Sequence, residues 1–260
     1  MTMAAGRSSS GSPTHSLALG SPAIPVRRPR LRSMGEVVSR AGVRRPAVRD
    51  RVRDALLNWI DEVLACKRLI AVSLAFTVAA LYADYYCGAY VTATKGVKAS
   101  DLILDQFRAI DMSFLFVYGY VALIVTMFLQ PILFRVRTFH VVAIQFSLLL
   151  LLRSVFMLFT HLETPAGSAT VSFPWFFNNL YFENDMFFSG HTAMPFLGFY
   201  LFRHSPLRYV FLVGAVVMGI VVLAMHLHYS IDVFAAFFMT YCSYRMGNRL
   251  LRRIDRVFRG

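Results

Sequence analysis

Apolar positions along this chain gather in runs rather than alternating with polar ones. Six runs, at residues 69–87, 112–134, 139–160, 186–203, 207–226 and 229–246, each approach the roughly 20 residues with which an α-helix crosses a bilayer. Five spans is the nearest competing count, because several runs are interrupted by a polar residue. Ahead of the first run, Val52, Leu56, Leu57, Ile60, Val63 and Leu64 fall at helical spacing, which predicts an amphipathic juxtamembrane helix over residues 51–68. Residues 1–50 mix Ser, Pro, Gly, Ala and Arg, with no acidic residue before Glu36. Such a segment cannot bury a core and is expected to be disordered. The expectation is an all-α polytopic membrane protein with six transmembrane helices. Its parts are a disordered basic tail (1–50), the juxtamembrane helix (51–68), one six-helix domain (69–248) and a basic cytoplasmic tail (249–260). No internal repeat is visible.

Composition agrees: 57% of the residues are hydrophobic and 16% charged, against roughly 45–50% apolar in ordinary soluble domains. The net charge of +13 raises the question of nucleic acid, and its distribution answers it. Lys and Arg concentrate in residues 1–68, in the Arg135–Arg137 and Arg203–Arg208 turns, and from Arg245 onward. The intervening segments on the other side hold only Lys95, Lys98 and Arg108. Cytoplasmic flanks accumulate Lys and Arg, so both termini are expected in the cytoplasm, their charge marking topology and touching anionic headgroups. No nucleic-acid-reading motif accompanies it, and no nucleic-acid partner is expected. The Ser- and Arg-rich start also has the look of a transit peptide. The first apolar run begins too late for a secretory signal. Cys66, Cys87 and Cys242 have neither metal-ligand spacing nor a disulfide pattern.

With the termini inside, the fourth span begins, the fifth ends and the sixth begins at the outer face. That places His191, His228 and Asp232 near one membrane surface. Ionisable groups within spans are expensive and usually functional. If the segment is helical, His228 and Asp232 at i and i+4 share a face. The carboxylate then fixes the imidazole tautomer and leaves the other nitrogen as nucleophile or base. His191, from another helix, suits general-acid work on a leaving oxygen. Ser189 and Gly190 open a helix whose free N–H groups and positive dipole end suit a phosphate. The bland alternative is that Ser189 and Thr192 cap the helix while the histidines tie helices together. His226 points to another face and reads as supporting at most, and His15, His140, His161 and His204 lie in the tail or at turns. The loop "PAGSATVSFPWFFNNLYFEND" is dense in aromatics. It reads both as an interfacial belt and as a wall able to hold a quaternary ammonium, with Trp175 and Tyr181 as candidate substrate contacts.

"FFSGHT" and "HYSIDV" together resemble the third and fourth motifs of the sphingomyelin synthases, relatives of the type-2 phosphatidate phosphatases. "LRSVFMLFTHLETPAG" is similar to that family's second motif through Arg153, Thr160, Leu162, Pro165 and Gly167. Asp101, Asp105 and Phe107 in "SDLILDQF" resemble a degraded first motif, with Lys98, Ala99 and Ser100 where prolines are usual. Asp185 fits the pattern, although the cysteine usually upstream of it is missing. The resemblance covers roughly residues 69–248. It implies six helices, an active site on the lumenal or extracellular face, and transfer of a phospho-alcohol headgroup between lipids. By that resemblance His228 attacks a phospholipid donor with Asp232 orienting it, and His191 protonates the departing diacylglycerol. The acceptor is ceramide or a similar lipid alcohol, Ser189, Gly190 and Arg153 hold the phosphate, and Asp185 contacts substrate. The membrane is a bacterial inner membrane or a eukaryotic Golgi or plasma membrane.

Exchange of one phosphodiester for another is nearly balanced in energy, so no nucleotide or other cofactor is expected; no GxxxxGK[ST] loop is present. No metal is required either. Asp101, Asp105, Asp111, Glu163, Glu183 and Asp185 are expected to be ordinary solvated loop charges. The nearest rival is a lipid phosphate phosphatase. Those enzymes resemble this chain in both histidine elements but add cations, typically an arginine six positions before the second histidine, where this chain has Val222. A CDP-alcohol transferase is disfavoured, because Asp101 and Asp105 match only the DxxxD part of its pattern. A non-catalytic membrane scaffold would not need the complete triad.

Overall fold

The computed structural model describes residues 48–171 and 182–259. The tail expected to be disordered over 1–50, except for its last three residues, and the candidate contacts Trp175 and Tyr181 lie outside the described residues. Among the described residues the secondary structure is helical, apart from one isolated bridge between Val97 and Leu162. The helices are α1 (Val48–Ala93), α2 (Tyr120–Phe134), α3 (Phe139–Phe159), α4 (Gly190–Leu201), α5 (Leu207–Ala224) and α6 (Ser230–Arg259).

Among the described residues, four helical segments are long and apolar enough to cross a membrane: Arg51–Ala93, Leu115–Phe134, Val136–Phe159 and Leu207–Ala224. The other two expected spans differ from the sequence reading. The fourth, 186–203, contains a helix of only 12 residues, about 18 Å at 1.5 Å per residue. Its first part is not helical, because Asn184 and Phe187 take positive φ of 61° and 118° and Ser189 is extended. The sixth does not stop at 246: α6 is 30 residues long and continues to Arg259 in the basic end, so its length is ample but its composition is mixed.

The juxtamembrane helix and first span are one uninterrupted helix of 46 residues. No Gly or Pro occurs between Val48 and Cys87 to break it. Its N-terminal half is pinned to the end of α2 and the turn that follows. There Trp59 Nε1 donates to Ile132 O (2.7 Å), and Glu62 pairs with Arg137 (3.4 Å). α2 is preceded by a π-helical turn, Leu115–Gly119, a wider turn often found at functional sites. Here it carries Phe116 and Val117 inward.

α3 is the central element, with Val142, Ile144, Leu149 and Met157 all buried. The core continues through Met127, Met194, Leu197 and Phe211. Around it, whole apolar faces point outward: Tyr209, Val213, Val216 and Ile220 on α5, and Ile231, Phe234, Phe238 and Tyr241 on α6. In water such contiguous patches would drive association; against lipid they are the expected surface.

The joint between α4 and α5 depends on Gly198. A Cβ there would lie 2.4 Å from the ring of the fully buried Phe211. Gly198→Ala is expected to destabilise the fold by about 1–3 kcal/mol through overpacking, read as a lower thermal midpoint in detergent. Adding Phe211→Leu should recover part of that loss.

Candidate active site

One end of the bundle gathers the polar chemistry. It is formed by the C-terminal ends of α1, α3 and α5 and the N-terminal ends of α2, α4 and α6. A cavity of ≈ 430 Å³ opens among them, within the size range of small-molecule sites. Asp84, Tyr120, Arg153, Asp185, His191 and His228 border it, with Phe116, Thr164, Phe182 and Gly190.

Arg153, on α3, bonds two carboxylates. Nη1 donates to Asp84 Oδ1 on α1 (2.9 Å), and Nη2 pairs with Asp185 ahead of α4. Ser154 Oγ adds a hydrogen bond to Asp84 (3.1 Å). All three charged side chains are largely buried, with 12–16% of their surface exposed. The Arg153 guanidinium also lies across the start of α4, since a Cβ on Gly190 would come within 3.0 Å of Nε. A larger residue at 190 would displace it, which accounts for glycine at this position.

The second element is the turn before α6. The condition of a helical segment is not met at His228: α6 begins at Ser230, and His228 sits in a bend ahead of it. The contact with Asp232 forms nonetheless, through helix capping. Asp232 is the third residue of α6, and its Oδ2 accepts from Tyr229 N–H (3.1 Å), the backbone half of a capping box. The same oxygen lies 3.3 Å from His228 Nδ1. An ionised Asp232 can only accept, so Nδ1 carries the proton and Nε2 is the bare nitrogen. His228 and Asp232 are 6% and 1% exposed, which keeps the pair out of competition with water.

His191, in the first turn of α4, stacks on Phe116 (centroids 4.0 Å apart, planes at 23°) and contacts Tyr120 (4.2 Å). Among the described residues its ring nitrogens have no hydrogen-bond partner, so either can exchange a proton with a bound group. Ser189 is held by bonds within the fold. It is fully buried, its Oγ caps α4 by accepting from Thr192 N (3.4 Å), and its N–H donates to Asp232 O (3.2 Å). That last bond joins the two histidine stretches directly. Of the first-turn N–H groups after it, Thr192 and Ala193 bond back to Ser189, while those of Gly190 and His191 have no intrahelical acceptor and suit an anion.

Asp185 borders the cavity and is engaged by Arg153. His226 caps nothing in a helix: it has φ 56°, its Nδ1 lies 3.3 Å from Ala166 O, and its ring meets Phe107 edge-on at 5.1 Å. The expectation of solvated loop charges holds for the exposed Asp105, Asp111 and Glu183 and fails for Asp101 and Asp185, which are buried. Asp84 was missed altogether, although a carboxylate in the first apolar run facing an arginine in the third was a legible signal. Val222 is buried and apolar, so it supplies no cation.

No family model matches the chain, and neither does any curated protein or solved structure.

Removing the central cation would leave two buried carboxylates unpaired. Arg153→Met is expected to cost about 3–5 kcal/mol, and Asp84→Asn less, because Asp185 remains; thermal unfolding in detergent compares them. Asp101 supplies a pH test. Burial raises its carboxyl, but hydrogen bonds from Ser230, Leu104 and Ile103 outweigh that and hold it below the usual value. A depressed carboxylate stabilises the fold above its unfolded value of about 3.9 and loses that contribution as pH falls through the folded value. Asp101→Asn should therefore flatten the acid arm of the stability–pH curve.

Proposed function

We propose that this protein is a membrane lipid phosphotransferase that moves a phospho-alcohol headgroup from a glycerophospholipid to ceramide or a similar lipid alcohol. The observation that carries the reading is the buried His228–Asp232 pair beside His191 on one cavity. His228 Nε2 attacks the donor phosphorus, and the bond from phosphorus to the glycerol oxygen breaks. His191, protonated, gives its proton to that oxygen, releasing diacylglycerol and leaving a phosphohistidine diester. The acceptor hydroxyl then passes its proton to His191 and attacks phosphorus. The N–P bond breaks, restoring both histidines. The choice of phosphocholine or phosphoethanolamine as headgroup, and of ceramide as acceptor, rests on the motif resemblance.

Charge favours a diester over the phosphatase alternative. Arg153 is outnumbered by Asp84 and Asp185, so the cluster carries one excess negative charge. A phosphomonoester dianion would meet that excess directly. A phosphodiester carries one negative charge, and an ammonium headgroup cancels it.

Six membrane crossings belong to the same proposal. Ala169 N–H donates to Met225 O (2.9 Å), which supports the ends of α3 and α5 lying on one side. The chain between them must then return across the membrane, and among the described residues α4 is the helix available for it. The distribution of Lys and Arg supports cytoplasmic termini and an extracytoplasmic site, in a bacterial inner membrane or a eukaryotic Golgi or plasma membrane.

The test uses purified protein in liposomes with fluorescent ceramide, EDTA, and phosphatidylcholine or phosphatidylethanolamine as donor. Labelled phospho-ceramide should form with wild type and be abolished in His228→Ala; His191→Ala should slow it by about 10²–10⁴-fold. If no label moves and phosphatidic acid loses its phosphate instead, the protein is a phosphatase.

A further inference from the structure

Asp101 lies in the connection between α1 and α2, far in sequence from the catalytic pair, yet it is 8% exposed and fully engaged. Oδ1 accepts from the backbone N–H groups of Ile103 (2.9 Å) and Leu104 (3.1 Å), fixing its own turn. Oδ2 accepts from Ser230 N–H (2.7 Å) and Ser230 Oγ (2.8 Å), on the first residue of α6. A carboxylate from another segment therefore caps the helix whose third residue is Asp232.

The consequence for His228 follows from donor counting. The first turn of α6 offers Tyr229 N–H, Ser230 N–H and the Ser230 hydroxyl, and these lack acceptors within the helix. Two carboxylates serve them: Asp232 takes Tyr229, and Asp101 takes both Ser230 donors. Without Asp101, the Ser230 donors would be left to turn to Asp232, the carboxylate in the same first turn. Its oxygen would then be drawn from His228 Nδ1, a bond already long at 3.3 Å. Neighbouring anchors do not replace the clamp, because they hold other points. Tyr229 OH bridges Ala99 N (3.1 Å) and Glu163 O (3.0 Å), and Ile110 N–H reaches Ala224 O (2.8 Å).

We infer that Asp101 is a positioning residue for the proposed transfer: by capping α6 from outside, it keeps Asp232 committed to His228. The kinetic consequence rests on the proposed reaction; the structural one does not.

Two experiments divide accordingly. In the liposome assay Asp101→Ala should lower kcat about 10–100-fold, with the donor KM little changed. On an Asp232→Asn background the same change should add less than about 2-fold, because residues acting through one group are non-additive. Losses that simply multiply overturn the inference. Independently of any substrate, ¹⁵N NMR of histidine-labelled protein in nanodiscs reports the His228 tautomer, its signals assigned by their loss in His228→Ala. Wild type should show protonated Nδ1 and bare Nε2, and folded Asp101→Ala a mixture of tautomers. An unchanged tautomer overturns the inference. If Asp101→Ala does not fold, Asp101→Asn keeps the size of the side chain and replaces one acceptor oxygen of the clamp by an amide that cannot accept. It should shift the tautomer balance in the same direction, and no shift there is equally decisive against it. Wild type that transfers no headgroup at all defeats the proposed reaction, while the NMR comparison still decides the role of Asp101.

Discussion

An arginine on a central, mostly buried helix has to be neutralised inside the bundle, and the way Arg153 is neutralised ties together three distant parts of the chain. Its guanidinium joins α3 to Asp84 on α1 and to Asp185 ahead of α4. Taking one charge out of water costs several kcal/mol unless its partners travel with it, so these contacts are conditions of folding as well as features of the cavity. Because the guanidinium also crosses the start of α4 beside Gly190, the same cluster determines where His191 can stand. Stability and the shape of the candidate site therefore share one group of charges.

The opposite wall is held differently. The stretch 224–232 receives hydrogen bonds at its backbone from Ile110, Ala169 and Ser189, and sends Tyr229 and Ser230 side chains back into the α3–α4 and α1–α2 connections. Thr164 and Asn184 bind each other reciprocally across the cavity mouth (3.0 and 3.2 Å). The positive φ angles of Asn184, Phe187 and His226 fall in these connections and not in the helices. Non-glycine residues persist in that region only where their surroundings over-determine them. The loops at this end of the bundle are thus cross-braced, which lets short helix starts hold the candidate site's side chains in place.

The apolar runs made the helical class legible, along with the approximate positions of α2, α3 and α5, because hydrophobic length is a strong signal. The ends of α4 and α6 were not legible. Phe187 looks like any other apolar residue of a span until its backbone turns left-handed, and α6 extends through arginines that a hydropathy window rejects. The convergence of His191, His228 and Asp232 followed from counting crossings. The manner of contact did not: spacing of four suggested a helical face, and the chain used a helix cap. Asp84 and Asp101 were hidden for opposite reasons. One sat inside an apolar run, where a charge asks for a partner, and the other sat in a loop, where a charge usually asks for none.

Asp232 joins the start of a helix and the tautomer of a histidine through a single oxygen, since Oδ2 accepts from both Tyr229 N–H and His228 Nδ1. An acceptor shared in this way cannot be tuned for one donor without affecting the other. Strengthening the cap draws the carboxylate toward the backbone, and strengthening the imidazole contact loosens the first turn of α6. The conflict eases only if other acceptors satisfy the remaining donors of that turn, and the structure contains such an acceptor in Asp101. A loop with no chemistry of its own then has a reason to carry a buried carboxylate. The precision of the histidine is set by how completely its neighbours' hydrogen bonds are met elsewhere.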